Sequence, residues 1–252
     1  MNVNEFIASA LMAALPGIDV NDSSKTCAAL RLFCATVSNV TALVDVGEPG
    51  ANPLVPIMWS EWTIQFLSQL FVLFEHLQPD THGSKSDAAD AFKGGARDAS
   101  GFLLGPTSMY QPFLRLLFAR LDRDIRKLAV KRVAAFVREN TLPELVDEVG
   151  VLVQAATMAD PETSVEEILR PLARALREDI STADATLSTA VESRIRWNSG
   201  LLIMGAHRAA RSVASALTVE IKALSRDIFS ACETNGNMEL LDTGENILSM
   251  LV

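Results

Sequence analysis

The histidines and glycine motifs of this 252-residue chain are the first places to look for chemistry, and their spacing assembles no reaction centre. His76, His82 and His207 are far apart, and none lies in the His-Glu-x-x-His spacing that places two imidazoles on one helical face for zinc. The sequence contains no Gly-x-Ser-x-Gly elbow, Walker loop or Gly-x-Gly-x-x-Gly fingerprint. We therefore expect no catalytic, metal-binding or cofactor-binding residues, and no enzyme.

Adjacent carboxylates and paired tryptophans are the next candidates. Acid–base work requires two carboxyl groups in different environments. In a chain of amphipathic helices such pairs are usually part of a solvated face, and this is how we interpret them. The pairs are Asp122/Asp124, Asp147/Glu148 and Glu166/Glu167. Trp59 and Trp62 stand at helical spacing among apolar neighbours, so we expect them to pack in a core and not to form a binding platform.

A basic run is the one charged feature that could bind a ligand. Eight basic residues fall within positions 115–138, against three acids in or beside the run. Four of them lie off the apolar stripe and could bind a polyanion such as an inositol phosphate, because guanidinium groups match phosphate oxygens. These four are Arg126, Lys127, Lys131 and Arg138. The alternative, which we favour, is a face paired with acids on a neighbouring repeat.

Composition narrows the remaining classes. A formal net charge of −9 disfavours generic nucleic-acid binding. Three cysteines, Cys27, Cys34 and Cys232, show no metal-ligand spacing and are typical of reduced intracellular thiols. The N-terminus lacks the basic region of a signal peptide, and polar residues interrupt the most apolar run, 58–77. We expect no membrane span.

Residues 142–180 show the unit that the chain repeats. Apolar residues recur at steps of three and four in two successive segments, which predicts two amphipathic helices. Asp160 is a plausible N-cap of the second helix, with Pro161 at its first position. Ser164 and Glu167 fit a capping box as an alternative start. The short turn requires the two helices to run antiparallel.

One such hairpin cannot bury both apolar stripes and needs neighbours. Its length of about forty residues is near the roughly 40 to 47 residues of HEAT and armadillo units. Because no useful segment alternates with period two, we predict an all-α fold. The predicted architecture is an α-α superhelix of stacked antiparallel helix pairs, one continuous HEAT-like array over residues 1–252. Pro171 removes a backbone hydrogen bond and predicts a kink in the second helix of the hairpin.

Other boundaries follow from the same patterns. Asp22 or Ser23 should cap a helix that reaches about residue 44, with Leu32 among its buried residues. Prolines and glycines predict a loop at 45–56, and the Gly-, Ser- and Asp-rich residues 78–106 predict a mobile insertion. The remaining helices are predicted at 5–15, 59–77, 110–121, 125–140, 187–206, 211–232 and 237–252, with Leu128 among the buried residues.

Several short motifs, spread along nearly the whole chain, can be compared with known families. They are Leu15-Pro-Gly-Ile-Asp-Val-Asn-Asp-Ser-Ser-Lys-Thr, Leu43-Val-Asp, the Trp59/Trp62 helix running into Phe66-Leu-Ser-Gln-Leu-Phe71, Asp160-Pro-Glu-Thr-Ser, and Arg196-Trp-Asn followed by Leu201-Leu. In these motifs the chain resembles the large monomeric HEAT-repeat proteasome activator, the proteasome activator complex subunit 4 family. The first block is the most specific of them.

The resemblance implies a function as well as a fold. Members of that family form a curved α-solenoid that caps the core proteasome on its α-subunit ring. They promote ATP- and ubiquitin-independent breakdown of peptides and of unfolded or acetylated proteins, histones among them. They work in nucleus and cytoplasm, have links to DNA repair, and bind inositol polyphosphates at basic openings in the shell. For this segment the resemblance implies a structural role in the shell.

The chain also departs from the family pattern. The family is several times longer, so the resemblance covers an internal block. Members dock through a C-terminal hydrophobic-Tyr-any tail, whereas this sequence ends Ser249-Met-Leu-Val252 and its single tyrosine is Tyr110. The alternative interpretation is an unrelated HEAT or armadillo scaffold, such as a transport or assembly adaptor that binds a protein partner along a concave face.

Overall fold

The computed structural model describes residues 3–40, 54–76, 110–182, 188–207, 211–235 and 238–248, and every regular element in these ranges is helical. The α-helices are α1 (Val3–Ala14), α2 (Ser23–Asn39), α3 (Leu54–His76), α4 (Tyr110–Ala119), α5 (Arg123–Glu139), α6 (Val146–Ala159), α7 (Pro161–Ser164), α8 (Arg170–Ser181), α9 (Thr189–Ala206), α10 (Arg211–Asn235) and α11 (Met238–Leu248). The 3-10 turns Leu15–Gly17 and Pro143–Leu145 precede α2 and α6, and a π-helical turn, Val165–Leu169, joins α7 to α8. The predicted all-α class is confirmed.

Two predicted segments meet the limits of the described residues. The predicted insertion, 78–106, lies outside them. So does most of the predicted loop at 45–56, but its end is wrong because α3 already begins at Leu54. Pro56 therefore occupies the first turn of α3, where a missing N–H has no helical acceptor to satisfy. Within the described residues, no helix is both long enough and apolar enough to cross a bilayer.

The chain divides into two compact units, Met1–Ala129 and Val130–Val252, with the division inside α5. Each unit is described by itself below. One continuous array over residues 1–252 stays a prediction.

In the first unit, the most specific sequence block forms a turn held by its own side chains. Asp22 caps α2 by accepting a hydrogen bond from the Lys25 amide at 2.9 Å, which confirms one of the two predicted caps. The Thr26 hydroxyl donates to the Asp19 carbonyl at 2.7 Å and accepts from the Asp19 amide at 2.9 Å. Gly17 lies so close to Ala29 that an added Cβ would be 2.9 Å from its methyl group. Asp19, Asp22, Thr26 and Gly17 of this sequence block therefore each have a part in holding the turn.

The core of the first unit is aromatic. Trp59 stacks on Trp62 with ring centroids 5.0 Å apart, and Trp62 stacks on Phe66 at 5.3 Å. Phe33 of α2 and Phe113 of α4 approach these rings edge-on, at 5.2 Å from Trp62 and 5.4 Å from Phe66 respectively. The Trp62 indole N–H donates to the Leu11 carbonyl of α1 at 3.1 Å. Since both tryptophans are 1% exposed, the predicted core role is confirmed.

Arg120 joins α4 to the end of α2. Its guanidinium donates to the Val40 carbonyl at 2.8 Å and also to the Val37 carbonyl. These carbonyls belong to the last turn of α2, which carries a partial negative charge. Burial lowers the pKa of Arg120. The basic residue therefore closes a helix end and is not a surface ligand.

Two residues of the first unit that the sequence predicts to be buried are exposed, so these two predictions are wrong. Leu32 is 46% exposed and Leu128 is 43% exposed. The buried side of α2 is instead centred on Leu30, Phe33 and Val37, which are all nearly fully buried. Leu32 precedes Phe33 by one residue, or about 100° around the helix, and so faces away from this stripe.

In the second unit, contacts define the helix directions. Arg170 and Arg177 of α8 pair with residues 220 and 227 of α10, so these two helices run parallel. Helices α6 and α9 are also parallel, since positions 146 and 153 face positions 200 and 205. By contrast, α8 and α9 run antiparallel. Equivalent helices of successive pairs therefore stack in the same direction, which confirms stacked antiparallel pairs in this unit.

Glycines set the distance between α6 and α9. A Cβ added to Gly205 would lie 2.8 Å from Val153 Cγ1 and 2.7 Å from Leu169 Cδ2. A Cβ added to Gly150 would lie 2.8 Å from Met204 Cγ, and one added to Gly200 would overlap Val146 Cγ1. Each helix therefore inserts side chains where the other carries none, and the two backbones pack closely.

The Gly200 contact can be tested with a double-mutant cycle. Gly200→Ala should destabilise the chain by about 1–3 kcal/mol, because overlap with the stiff Val146 side chain outweighs the helix propensity of alanine. In a Val146→Ala background the same change should be neutral, or stabilise by up to about 1 kcal/mol. Urea unfolding followed by circular dichroism measures both effects. An equal cost in both backgrounds would show that the contact does not limit the packing.

Candidate functional site

A cleft of about 300 Å³ in the second unit is the candidate site. The end of α5, the π-helical turn with most of α8, and the middle of α9 surround it, and Trp197, Leu172 and Ile168 form much of its apolar wall. Charged side chains also line it. They are Arg138, Glu167, Glu178, Asp179 and Arg194. The cleft therefore combines an apolar wall with polar groups, as ligand sites commonly do.

Pro171 shapes one side of the cleft. The N–H of Arg170 donates to the Val165 carbonyl, five residues earlier, in the π-helical turn that precedes the proline. Because Pro171 has no N–H, the Glu167 carbonyl has no donor four residues later. Both Glu167 and Pro171 line the cleft. The predicted interruption at Pro171 thus takes the form of a π-helical turn, a feature often found beside functional sites.

One of the carboxylates that line the cleft is buried. Asp179 is 8% exposed, although it carries a charge. Its Oδ1 accepts a hydrogen bond from Arg194 Nε at 2.8 Å, and its Oδ2 accepts one from Asn198 Nδ2 at 3.3 Å. Because a buried charge is costly unless it is paired and hydrogen-bonded, these two residues of α9 fix the position of α8.

Trp197 of α9 joins this helix to α5. Its indole N–H donates to the Val137 carbonyl at 3.3 Å, and the ring is 1% exposed. Val137 lies in the last turn of α5, whose carbonyls have no partner within the helix. The bond therefore satisfies a helix end and holds the apolar wall of the cleft in place.

Outside the cleft, two ion pairs form a ladder between α8 and α10. Arg170 Nε lies 2.9 Å from Glu220 Oε1, and Arg177 Nε lies 2.6 Å from Asp227 Oδ2. Arg170 also pairs with Glu166 in the π-helical turn that precedes α8. The hydrogen bond to Glu166, followed by the charges of Glu166 and Glu220, raises the pKa of Arg170. The Arg170–Glu220 pair is half-buried and the Arg177–Asp227 pair is exposed, so the two pairs fix the register of the stack but contribute little free energy each.

The four residues of the predicted polyanion patch differ in their surroundings. Arg126 is half-buried, and its guanidinium donates to the Leu121 carbonyl at 2.7 Å. Lys131 is exposed and its Nζ lies 3.8 Å from Glu167 Oε1. Arg138 is exposed and lines the cleft, while Lys127 is half-buried. Arg126 and Lys127 belong to the first unit, and Lys131 and Arg138 to the second. Polyanion binding stays a prediction.

The other candidate residues have structural roles. Asp122 caps α5, because its Oδ1 accepts from the Asp124 and Ile125 amides at 2.8 and 2.9 Å. His76 Nδ1 lies 2.8 Å from the Val72 carbonyl, and the His207 carbonyl accepts from Gln154 at 3.2 Å. His82 lies outside the described residues. In the ranges that the structure describes, no three His, Cys, Asp or Glu side chains converge as a metal site.

Two of the three cysteines differ in burial. Cys34 is buried, and burial raises its pKa to about 11, whereas Cys27 is half-buried.

The structure also decides between the two predicted starts of the helix after residue 159. Asp160 caps α7 by accepting a hydrogen bond from the Thr163 amide at 3.1 Å. The alternative cap, Ser164, lies inside the helix with a fully buried side chain. Asp160 is therefore the N-cap.

Sequence reasoning missed the cleft, although one signal marked it. Asp179 follows Leu176 by three residues and precedes Ile180, so it stands on the apolar stripe of its helix. A carboxylate on a buried stripe requires a partner. That partner, Arg194, lies on the next helix and beyond the turn, where periodicity alone cannot locate it.

The described residues form only helices, and in the second unit equivalent helices of successive pairs stack in parallel, which is the arrangement of an all-α helical-repeat protein. Residues 57–199 match the family described as the proteasome activator complex subunit 4, mid HEAT repeats region, and the chain belongs to that family. The predicted HEAT architecture and the stated resemblance are thereby confirmed.

A curated relative supports the same assignment. The chain is 31% identical over 168 residues to the proteasome activator subunit 4 of Arabidopsis thaliana. The aligned region covers 67% of this chain and 9% of that relative. No solved structure matches the chain. The chain therefore corresponds to a small part of the relative's length.

The Asp179 network generates a stability prediction. Arg194→Met should destabilise the chain by about 1–3 kcal/mol, because it leaves a buried carboxylate with one hydrogen bond. Adding Asp179→Asn should recover part of this loss, since the charge is then removed. Arg177→Met, which breaks an exposed pair, is the matched control and should cost less than about 1 kcal/mol. Urea unfolding measures all three; equal losses for Arg194→Met and Arg177→Met would contradict the role of burial.

Proposed function

We propose that this chain is a non-enzymatic wall segment of a proteasome activator. The observation that carries the proposal is the match of residues 57–199 to the mid HEAT repeats of that family. The parallel stacking of α6 on α9 and of α8 on α10 supports a structural role, because it builds an extended surface from helix pairs. The family assignment favours this function over the unrelated scaffold.

In the longer protein, the wall would form part of a cap on the α-subunit ring of the core proteasome. We propose that this protein promotes ATP- and ubiquitin-independent degradation of peptides and of unfolded or acetylated proteins, with histones among its substrates. We also propose that the longer protein acts in the nucleus and the cytoplasm and has a link to DNA repair. The name of the relative, a proteasome activator subunit, supports proteasome binding.

The physical task of such a segment is to hold a fixed geometry. Glycine contacts set the spacing of α6 and α9, while the buried Asp179 network and the α8–α10 ladder fix the register. Interfaces of this kind lie between neighbouring repeats, so a local packing change alters the angle at which the next repeat continues. The segment would therefore contribute shape and no reaction.

Activity of the longer protein tests the proposal. We expect a longer protein that contains this segment to co-purify with core proteasome and to stimulate peptide hydrolysis without ATP. Gly200→Leu should reduce that stimulation, because the side chain cannot fit against Val146. Glu162→Gln, an exposed change, is the control and should leave stimulation intact. Absence of both binding and stimulation in the unmodified protein would overturn the proposed function.

Inositol polyphosphate binding by the basic run is a secondary proposal. Lys131 and Arg138 support it, since both are exposed on the part of α5 that belongs to the second unit. We expect Lys131→Gln with Arg138→Gln to weaken binding of inositol hexakisphosphate by about tenfold in isothermal titration calorimetry, because two cations are lost. Lys222→Gln, an exposed lysine of α10, is the control. Unchanged affinity in the double variant would end this proposal.

A further inference from the structure

We propose that the cleft of the second unit binds a lysine or arginine side chain from an extended protein segment. The cleft is bounded by the end of α5, by α8 and by α9. The inference is independent of proteasome binding, because it rests on the charges, the backbone acceptors and the apolar wall of the cleft.

The carboxylates of the cleft are not all neutralised. Asp179 is satisfied by Arg194 and Asn198. Glu178 is exposed, and no cation within 4.0 Å of it appears among the described residues. Among the described residues, Glu167 pairs with Lys131 at 3.8 Å, which is a long ion pair, and 34% of the Glu167 side chain is exposed. Glu178 is therefore the carboxylate most available to a cationic group that enters the cleft, while Glu167 is held by one long, partly exposed ion pair.

Backbone carbonyls add to the excess of acceptors. Pro171 supplies no N–H, so the Glu167 carbonyl lacks its α-helical donor. The end of α5 also meets the cleft, since Arg138 and Asn140 line it. The C-terminal end of a helix carries a partial negative charge and favours cations. The end of α5 therefore favours an incoming ammonium or guanidinium group.

The apolar wall suits the stem of a long basic side chain. Trp197, Leu172 and Ile168 can cover methylene groups while the charged head stays near the rim. A volume of about 300 Å³ is at the lower end of the range for ligand sites, so it suits one side chain and not a large cofactor.

An anionic ligand suits the cleft less well. It would meet Arg138 and the remaining N–H groups of Arg194, but it would also lie beside Glu167 and Glu178. Like charges in a partly enclosed cleft disfavour binding. The sign of the preferred charge therefore decides between the two ligands.

The test uses the full chain and the indole N–H resonances of its tryptophans. Trp197 lines the cleft, whereas Trp59 and Trp62 belong to the first unit and serve as internal references. Trp197→Phe assigns the signal. The probes are blocked pentapeptides, Gly-Gly-X-Gly-Gly, in which X is arginine, lysine, citrulline or glutamate.

We expect the arginine and lysine peptides to shift the Trp197 indole signal saturably, with a dissociation constant of about 1 mM. The reference signals of Trp59 and Trp62 should not change. Glu178→Gln should weaken binding about twofold to fivefold, as expected for one partly exposed charge. Arg138→Gln should tighten binding, because it removes a like charge. Glu162→Gln, an exposed change outside the cleft lining, should have no effect.

Three results would overturn the proposal. The first is no shift of the Trp197 signal by the arginine or lysine peptide at about 10 mM. The second is an equal response to citrulline, which would indicate binding without charge recognition. The third is a stronger response to the glutamate peptide, which would assign the cleft to anions. Loss of folding of the second unit in a variant is detected by circular dichroism, because Trp59 and Trp62 report on the first unit alone.

Discussion

An amphipathic helix pair cannot bury both of its apolar stripes by itself, and this constraint governs the second unit. The unit meets it by stacking α9 on α6 and α10 on α8, so that each pair covers the stripe of the previous one. The close approach of α6 and α9 depends on glycines at positions 150, 200 and 205, each of which faces a side chain of the other helix. Packing of this kind tolerates little change in volume.

Polar contacts then select one register from those that apolar packing would allow. The buried Asp179 accepts from two residues of α9, so displacement of either helix would leave a carboxylate without partners. The ion pairs of Arg170 and Arg177 repeat at a spacing of one heptad and point to the same alignment of α8 and α10. Buried and exposed charges thus agree on one arrangement.

The cleft is a by-product of the same construction. Where Pro171 interrupts the helix, the π-helical turn and the end of α5 leave a space that packing does not fill. The helical repeat can therefore carry a cleft without any change in the order of its helices. In a helical-repeat protein such a site lies on the surface that successive pairs share.

The sequence by itself determined the all-α class, the caps at Asp22 and Asp160, the burial of Trp59 and Trp62, and the HEAT-type family, because these depend on local spacing and on motifs along the chain. It did not determine the helix ends, since α2 stops at Asn39 and not near residue 44, and α3 begins at Leu54 inside the predicted loop. Only the tertiary structure decided which side of a broad apolar helix faces inward, and so Leu32 and Leu128 proved exposed. It also decided that Asp179 meets Arg194 and that three helices enclose a cleft. The physical reason is that a helix presents its residues in all directions, while burial and ion pairing depend on which neighbour covers each side.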